Sequence, residues 1–271
     1  MRSAMIILIA LLVIGGGTAS VSLAIDSWLD ESNSSATNQS AYQIATAVQT
    51  ATARMDSFQF DAQMDMSEGM MAYSMHSAID ETNGKMSMDF RMTTLTPEPL
   101  TVQGEMYVIE DCAYVNFEMP SEMSGWSKFC APGLLEQQAI INPEVDFLTQ
   151  FADVEVLGTE MVDGVECYKL RVTPDMGKTW AWALGQPGME GLPADLQGME
   201  DLMEDLISDF SIVEWIAKDT YFPMKFVMAM TFTTEEGPVD VTMTGLIHHI
   251  NEPMSIELPP EAADAVEMPS H

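Results

Sequence analysis

The sequence predicts an α+β protein: a curved antiparallel half-barrel sheet with helices on its concave side, preceded by an N-terminal hydrophobic helix. Three observations carry this. Apolar and polar residues alternate with period two through long stretches between residues 57 and 108 and again between 212 and 247. Helical spacing of apolar residues is confined to short segments between and before those stretches. Residues 4–25 form an almost unbroken apolar run behind Arg2 and ahead of Asp26, Asp30 and Glu31.

That first run has the charge asymmetry of an exported segment. Two readings stay open. Ser22-Leu23-Ala24 offers small residues for cleavage of a signal peptide after Ala24. Alternatively the run is long enough to cross a bilayer and remain as an anchor, the preferred reading. Residues 26–40 are rich in Ser, Asn and Thr and read as a flexible stalk. They hold two glycosylation-type triplets, at Asn33 and Asn38. Residues 41–265 then form the folded domain.

The domain opens with a helix over 41–55, capped by Ser40, with Ile44, Ala45, Val48 and Met55 at helical spacing. The period then changes to two. Phe58, Phe60, Ala62, Met64 and Met66 alternate with Gln59, Asp61, Gln63 and Asp65. Met71, Tyr73, Met75 and Ile79 make a second strand, Met86 to Met92 a third, and Val102 to Val108 a fourth. Turn residues at 67–69 and at Thr82-Asn83-Gly84 separate the first three, so a meander is the economical topology. Cys112 and Cys130 bracket a further hairpin whose outer ends would meet, which makes them the preferred disulfide pair and leaves Cys167 over.

Near Pro132 the pattern breaks. Short helices are expected over 134–141 and from Asn142-Pro143 to Phe151. A hairpin follows, turning at Asp163-Gly164. A helix is expected from Pro193 to Phe210, with Leu196, Met199, Met203, Leu206, Ile207 and Phe210 as its apolar stripe. Ile212 to Asp219 begins the last sheet segment. Phe222, Met224, Phe226, Met228, Met230 and Phe232 fall on one face, and Val239 to Ile247 close the sheet. From Asn251 the tail reads as irregular.

Composition excludes several functions. With 10 Lys plus Arg against 42 Asp plus Glu, the formal net charge is −32. Nucleic-acid binding requires a basic face to neutralise phosphates, and none is available. No nucleophile elbow, zinc-protease motif, phosphate loop or dinucleotide fingerprint occurs, so neither enzymatic activity nor a cofactor is expected. His248 and His249 on one strand point to opposite faces and do not form a metal pair. Met64, Met66, Met70, Met71, Met75 and His76 lie close in sequence and are Cu(I)-type ligands. Strand alternation explains the methionines by inward packing, so copper handling ranks behind a core role and no metal ligand is assigned.

The 25 Met and 11 Phe are the more telling excess. Unbranched, polarizable Met suits a surface that accepts variable apolar partners. The candidate ligand-lining residues are Phe60, Met64, Met88, Phe90, Met106, Phe226, Met228 and Met230. They offer apolar contact, and burying one methylene against them is worth about 0.8 kcal/mol.

The element order and three stretches carry a resemblance. Val156 to Leu170, Glu214 to Lys225 with its Trp215-Ile216 and Thr220 to Pro223, and the closing Pro253 to Ala262 resemble the LolA-like superfamily. The likeness is to its LppX/LprG-type lipoprotein carriers and their archaeal relatives, and it spans about residues 41–265. It implies a half-open barrel with helices lidding the concave side, and roles in carrying lipids or lipidated proteins or in sensing envelope stress. The chain departs from the bacterial pattern in having no Cys after the apolar run, which leaves an anchor helix or release.

The expectation is therefore an extracytoplasmic, membrane-tethered protein that binds a lipid or other hydrophobic small molecule in a Met/Phe-lined groove. The alternatives are an envelope sensor or structural protein whose groove is plugged by its own helices, and a Met/His copper protein. No protein partner is identified.

Overall fold

The computed structural model describes residues 36–67, 70–94, 99–118, 125–131, 152–175, 207–234 and 237–267. The apolar run of residues 1–25, the helices expected over 134–141 and 142–151, and most of the one expected over 193–210 lie outside these. Among the described residues no helix is long and apolar enough to cross a membrane.

Helix α1 spans Ala36–Thr52. It begins inside the expected stalk, so Ser40 lies within the helix and is no cap. Its apolar face is the one the spacing marks out: Ala41, Ile44, Ala45, Val48 and Ala51 are all buried. Two tight turns, Arg54 N–H to Ala51 O and Met55 N–H to Thr52 O, then end the helix short of Met55.

Six strands follow: β1 (Ser57–Met66), β2 (Met71–Asp80), β3 (Lys85–Thr94), β4 (Leu100–Ile109), β5 (Cys112–Glu118) and β6 (Trp126–Cys130). They pair in sequence order as an antiparallel meander. Cys112 and Cys130 are register partners at its end and are joined by a disulfide. A second meander holds β7 (Ala152–Val162), β8 (Val165–Pro174), β9 (Ile207–Ala217), β10 (Pro223–Thr234) and β11 (Gly237–His248). The β7–β8 hairpin turns at Asp163-Gly164, both with positive φ of 47° and 83°. That geometry matches strand twist and suits Asp and Gly.

β9 corrects one expectation. Ile207 to Phe210 are strand, not the end of a helix, because Ile207 pairs with Phe232 and Ser208 with Thr231. The tail is only partly irregular. It carries a short 3-10 helix, Pro260–Asp264, and β12 (Val266–Glu267), which lies parallel on β6.

The two meanders become one sheet because β1 pairs with β11, Phe60 opposite Ile247 and Met64 opposite Met243. The result is a curved, open, twelve-stranded, mostly antiparallel sheet in the order β12-β6-β5-β4-β3-β2-β1-β11-β10-β9-β8-β7. Asn251, just past β11, locks the seam. Its side chain accepts from Asp56 N–H at 2.7 Å and donates to Arg54 O at 2.9 Å.

Register makes one face apolar from β1 to β5 and from β9 to β11. Its cluster runs from Phe58 and Met64 through Met75, Met86 and Val108 to Val241 and Met243. α1 packs on the same face farther along, Ile44 and Val48 against Leu170 and Ile216. On the other face, Cys167, Trp215 and Val162 form a smaller core. The Trp215 ring there carries Lys169 at 4.9 Å and Lys225 at 4.7 Å, cation–π contacts over the ring face. The second half of β9, Ile212 to Ala217, is consequently covered on both sides.

Two glycines shape the apolar face. A Cβ on Gly245 would collide with the Phe226 ring and sit 2.8 Å from Phe60, and one on Gly104 would sit 2.7 Å from Phe90. Gly245→Val is expected to destabilise the fold by about 1–3 kcal/mol through overpacking, read as a lower urea midpoint. An unchanged midpoint would mean that both rings have other low-energy positions.

Candidate functional site

All eight residues proposed from sequence as ligand-lining lie on this single face. Cross-strand register puts Phe60 and Met64 of β1 on the same face as Met88 and Phe90 of β3, Met106 of β4, and Phe226, Met228 and Met230 of β10. Phe60 and Met64 are buried, at 1% and 3% exposed, while the other six are half-buried. The face is therefore covered most fully along the β1–β11 seam and less so on either side.

One row is unusual. From β9 to β5 it reads Glu214, Phe226, Gly245, Ala62, Met75, Phe90, Gly104, Phe117. Gly104 is flanked in the row by Phe90 and Phe117, and Gly245 by Phe226, with Phe60 diagonal to it on β1. Across Gly245, Phe226 reaches Phe60 in a stack with centroids 6.0 Å apart. Over Gly104, Phe90 meets Phe117 edge-on at 5.8 Å. Phe90 also stacks on Tyr73 at 6.4 Å. The missing side chains let the rings lie down against the sheet, so the row is a low aromatic floor.

Three polar groups interrupt this face. Ser77 Oγ is buried without a hydrogen-bond partner. The buried Tyr73 hydroxyl is pushed up to about 12 by loss of hydration. Glu214 is the most exposed to conflict: it is 4% exposed, lies between Leu170 and Phe226 in register, and its Oε2 has no partner. Burial raises its carboxyl to about 8 from an ordinary 4.5, so at neutral pH it is a protonated hydrogen-bond donor.

The opposite face of β1–β5 is polar. A second row there reads Leu246, Asp61, His76, Asp89, Glu105, Asn116. A pocket of about 590 Å³ lies over it, lined among others by Asp61, His76, Asp89, Arg91, Glu105 and Glu118. Asp61 accepts from both His76 Nδ1 at 2.7 Å and His248 Nε2 at 2.8 Å. Burial opposes its ionisation, but the two imidazole hydrogen bonds and their charge outweigh burial and hold the carboxyl below its usual value. Glu105 is raised by burial and by the neighbouring Asp89, Glu118 and Glu261.

The polar face also decides the copper question raised by the sequence. His76 projects to the polar side, whereas Met64, Met66, Met71 and Met75 share the apolar side, so the Met/His set is not assembled. His249 lies just past the strand at φ 52°, so the expected placement of the two histidines on opposite faces fails: its ring meets His248 edge-on with centroids 4.9 Å apart, and its Nδ1 bonds Glu252 at 2.7 Å. The Asp61–His76–His248 group has no short-range sequence signal. Asp61 and His248 are 187 residues apart and meet only through the β1–β11 pairing.

The fold is a single two-faced sheet with an apolar side interrupted by few polar groups and a polar side that carries the Asp61–His76–His248 cluster. The chain belongs to the DUF6612 family, a family of unknown function whose model matches residues 40–267. No curated protein sequence matches it. Among solved structures it is similar to the lipoprotein LppX of Mycobacterium tuberculosis, at 14% identity over 81% of this chain and 100% of that one, with a TM-score of 0.46. LprF from Mycobacterium bovis gives 13% identity, 80% and 97% coverage, and a TM-score of 0.40. A putative outer membrane lipoprotein-sorting protein domain from Vibrio parahaemolyticus gives 9% identity, 80% and 95% coverage, and a TM-score of 0.24. These neighbours fall in the superfamily whose resemblance the sequence carries.

Glu214 generates a pH prediction. Below pH 4.5 the group is protonated in both folded and unfolded chains and adds no pH dependence. Between 4.5 and about 8 only the unfolded chain releases the proton, so stability falls as pH rises, by up to about 1.4 kcal/mol per unit. Above 8 the loss levels off. Glu214→Gln is expected to flatten this decline, measured as melting temperature at pH 5 and pH 8 for both chains. Equal slopes would show that the carboxyl is hydrated.

Proposed function

We propose that this protein is a non-enzymatic, extracytoplasmic domain, tethered by its N-terminal apolar run, that binds a lipid or other hydrophobic molecule against its Met/Phe sheet face. The observation that carries this reading is the segregation of Phe60, Met64, Met88, Phe90, Met106, Phe226, Met228 and Met230 to one face of one sheet, six of them half-buried. Flexible thioethers bordering a flat aromatic floor accept alkyl chains of varied shape. Tyr73 on β2 and Glu214 on β9, four strands apart, are alternative anchors for the polar end of such a ligand. The Cys112–Cys130 disulfide suits an oxidising compartment. The lipoprotein neighbours fit the same location.

A second reading has its own support. Phe60 and Met64 are already shielded from water, as they would be if the protein's own segments filled the groove. The outer surface would then meet a protein partner, as in a sensor.

Native mass spectrometry of the full chain after gentle extraction separates the two. Carriage predicts co-purifying lipid and saturable uptake of a fluorescent fatty acid. Met88→Asp and Met228→Asp, at half-buried positions, are expected to weaken that uptake tenfold or more while circular dichroism stays unchanged. A clean apoprotein that ignores the probe would favour the plugged sensor.

A further inference from the structure

On the polar side of β1, β2 and β11, three side chains unused by the ligand-binding reading come together. Asp61, His76 and His248 each present one donor atom, and these atoms lie within 4.8 Å of one another. They stand on three adjacent strands of one hydrogen-bonded ladder, so their spacing is set by sheet geometry, not by a loop. His248 is 29% exposed, His76 45% and Asp61 44%, which leaves the group open to solutes.

We propose that Asp61, His76 and His248 form a binding site for a divalent transition-metal ion of the Zn2+ class. The donor set is two imidazole nitrogens, His76 Nδ1 and His248 Nε2, and one carboxylate oxygen. Imidazole selects Zn, Cu or Ni over Mg and Ca, which prefer all-oxygen cages. Zn–N and Zn–O bonds are about 2.0–2.2 Å, so donors spaced this closely close round one ion by side-chain rotation alone. The ion replaces the two imidazole–carboxylate hydrogen bonds with coordinate bonds. Asp61 and His76 also line the 590 Å³ pocket, so the remaining coordination positions face a space that holds water or an exogenous anion. Asp89, the register partner of His76, and Glu105 beyond it add negative charge to the same row. The chain's net charge of −32 enriches cations at its surface. The site bridges the seam where the two meanders join, so a bound ion also stabilises the fold.

The test uses the full chain in detergent, stripped with EDTA and titrated calorimetrically with Zn2+ in excess Mg2+, which fills oxygen-only sites. One saturable site per chain is expected, weakened tenfold or more in His76→Gln and in His248→Gln. Co2+ should give a visible absorption band that both variants lose. Melting curves of the metal-free variants check folding, and His76→Gln, at a half-exposed position, is sufficient alone if His248→Gln fails to fold. Weak, multi-site binding that is equal in the variants or abolished by Mg2+ would overturn the proposal and leave only surface carboxylates. Absence of binding would reduce the group to a His–Asp hydrogen-bond network. Fatty-acid uptake measured on the same variants should be unaffected, so this result stands or falls apart from the ligand-binding reading.

Discussion

The pairing of β1 with β11 is the constraint on which the molecule depends. Each meander alone is a sheet with an exposed edge and half a core. Joining them along Phe60–Ile247 and Met64–Met243 makes one continuous face of Met, Phe and Val and buries its centre. Register is strict here, because a slip of one residue would turn Phe60 and Met64 to water and Asp61 into the core. Asn251 adds a local lock, tying the chain after β11 to the backbone that enters β1.

From that seam follow both candidate sites. On the apolar side it brings Phe226 of the second meander to Phe60 of the first, over the space left by Gly245. On the polar side it brings His248 to Asp61. One backbone ladder thus builds a greasy face and, a strand thickness away, a cluster of nitrogen and oxygen donors. The two do not share side chains, because alternation along each strand sends successive residues to opposite faces.

The polar intrusions on the apolar face are costly, and Glu214 most of all. A carboxyl held in apolar surroundings survives by keeping its proton, which ties the stability of the sheet to pH through a single residue. Asp80 is also buried but bonds Asn83 through both oxygens, whereas Glu214, between Leu170 and Phe226, leaves Oε2 without a partner, which sets it apart among the described acidic residues.

The sequence by itself determined the strands, their order within each meander, and which side of each is apolar. Period-two alternation is a local property, and Phe58 to Met66 or Val239 to Ile247 display it without help from the rest of the chain. It also placed all eight apolar candidates on one face, since each was chosen from an alternating run. Local spacing was less able to set boundaries. α1 starts at Ala36, ahead of the first residue of the expected helix, and Ile207 to Phe210 are strand because β10 offers a ladder that outweighs a helical stripe. Only the tertiary structure decided what lies far apart in sequence: the β1–β11 seam, the parallel β12 on β6, the stacking of rings over glycines, and the meeting of Asp61, His76 and His248. The physical reason is that these depend on closing loops of up to nearly two hundred residues, and no periodicity within one strand records which other strand it will find.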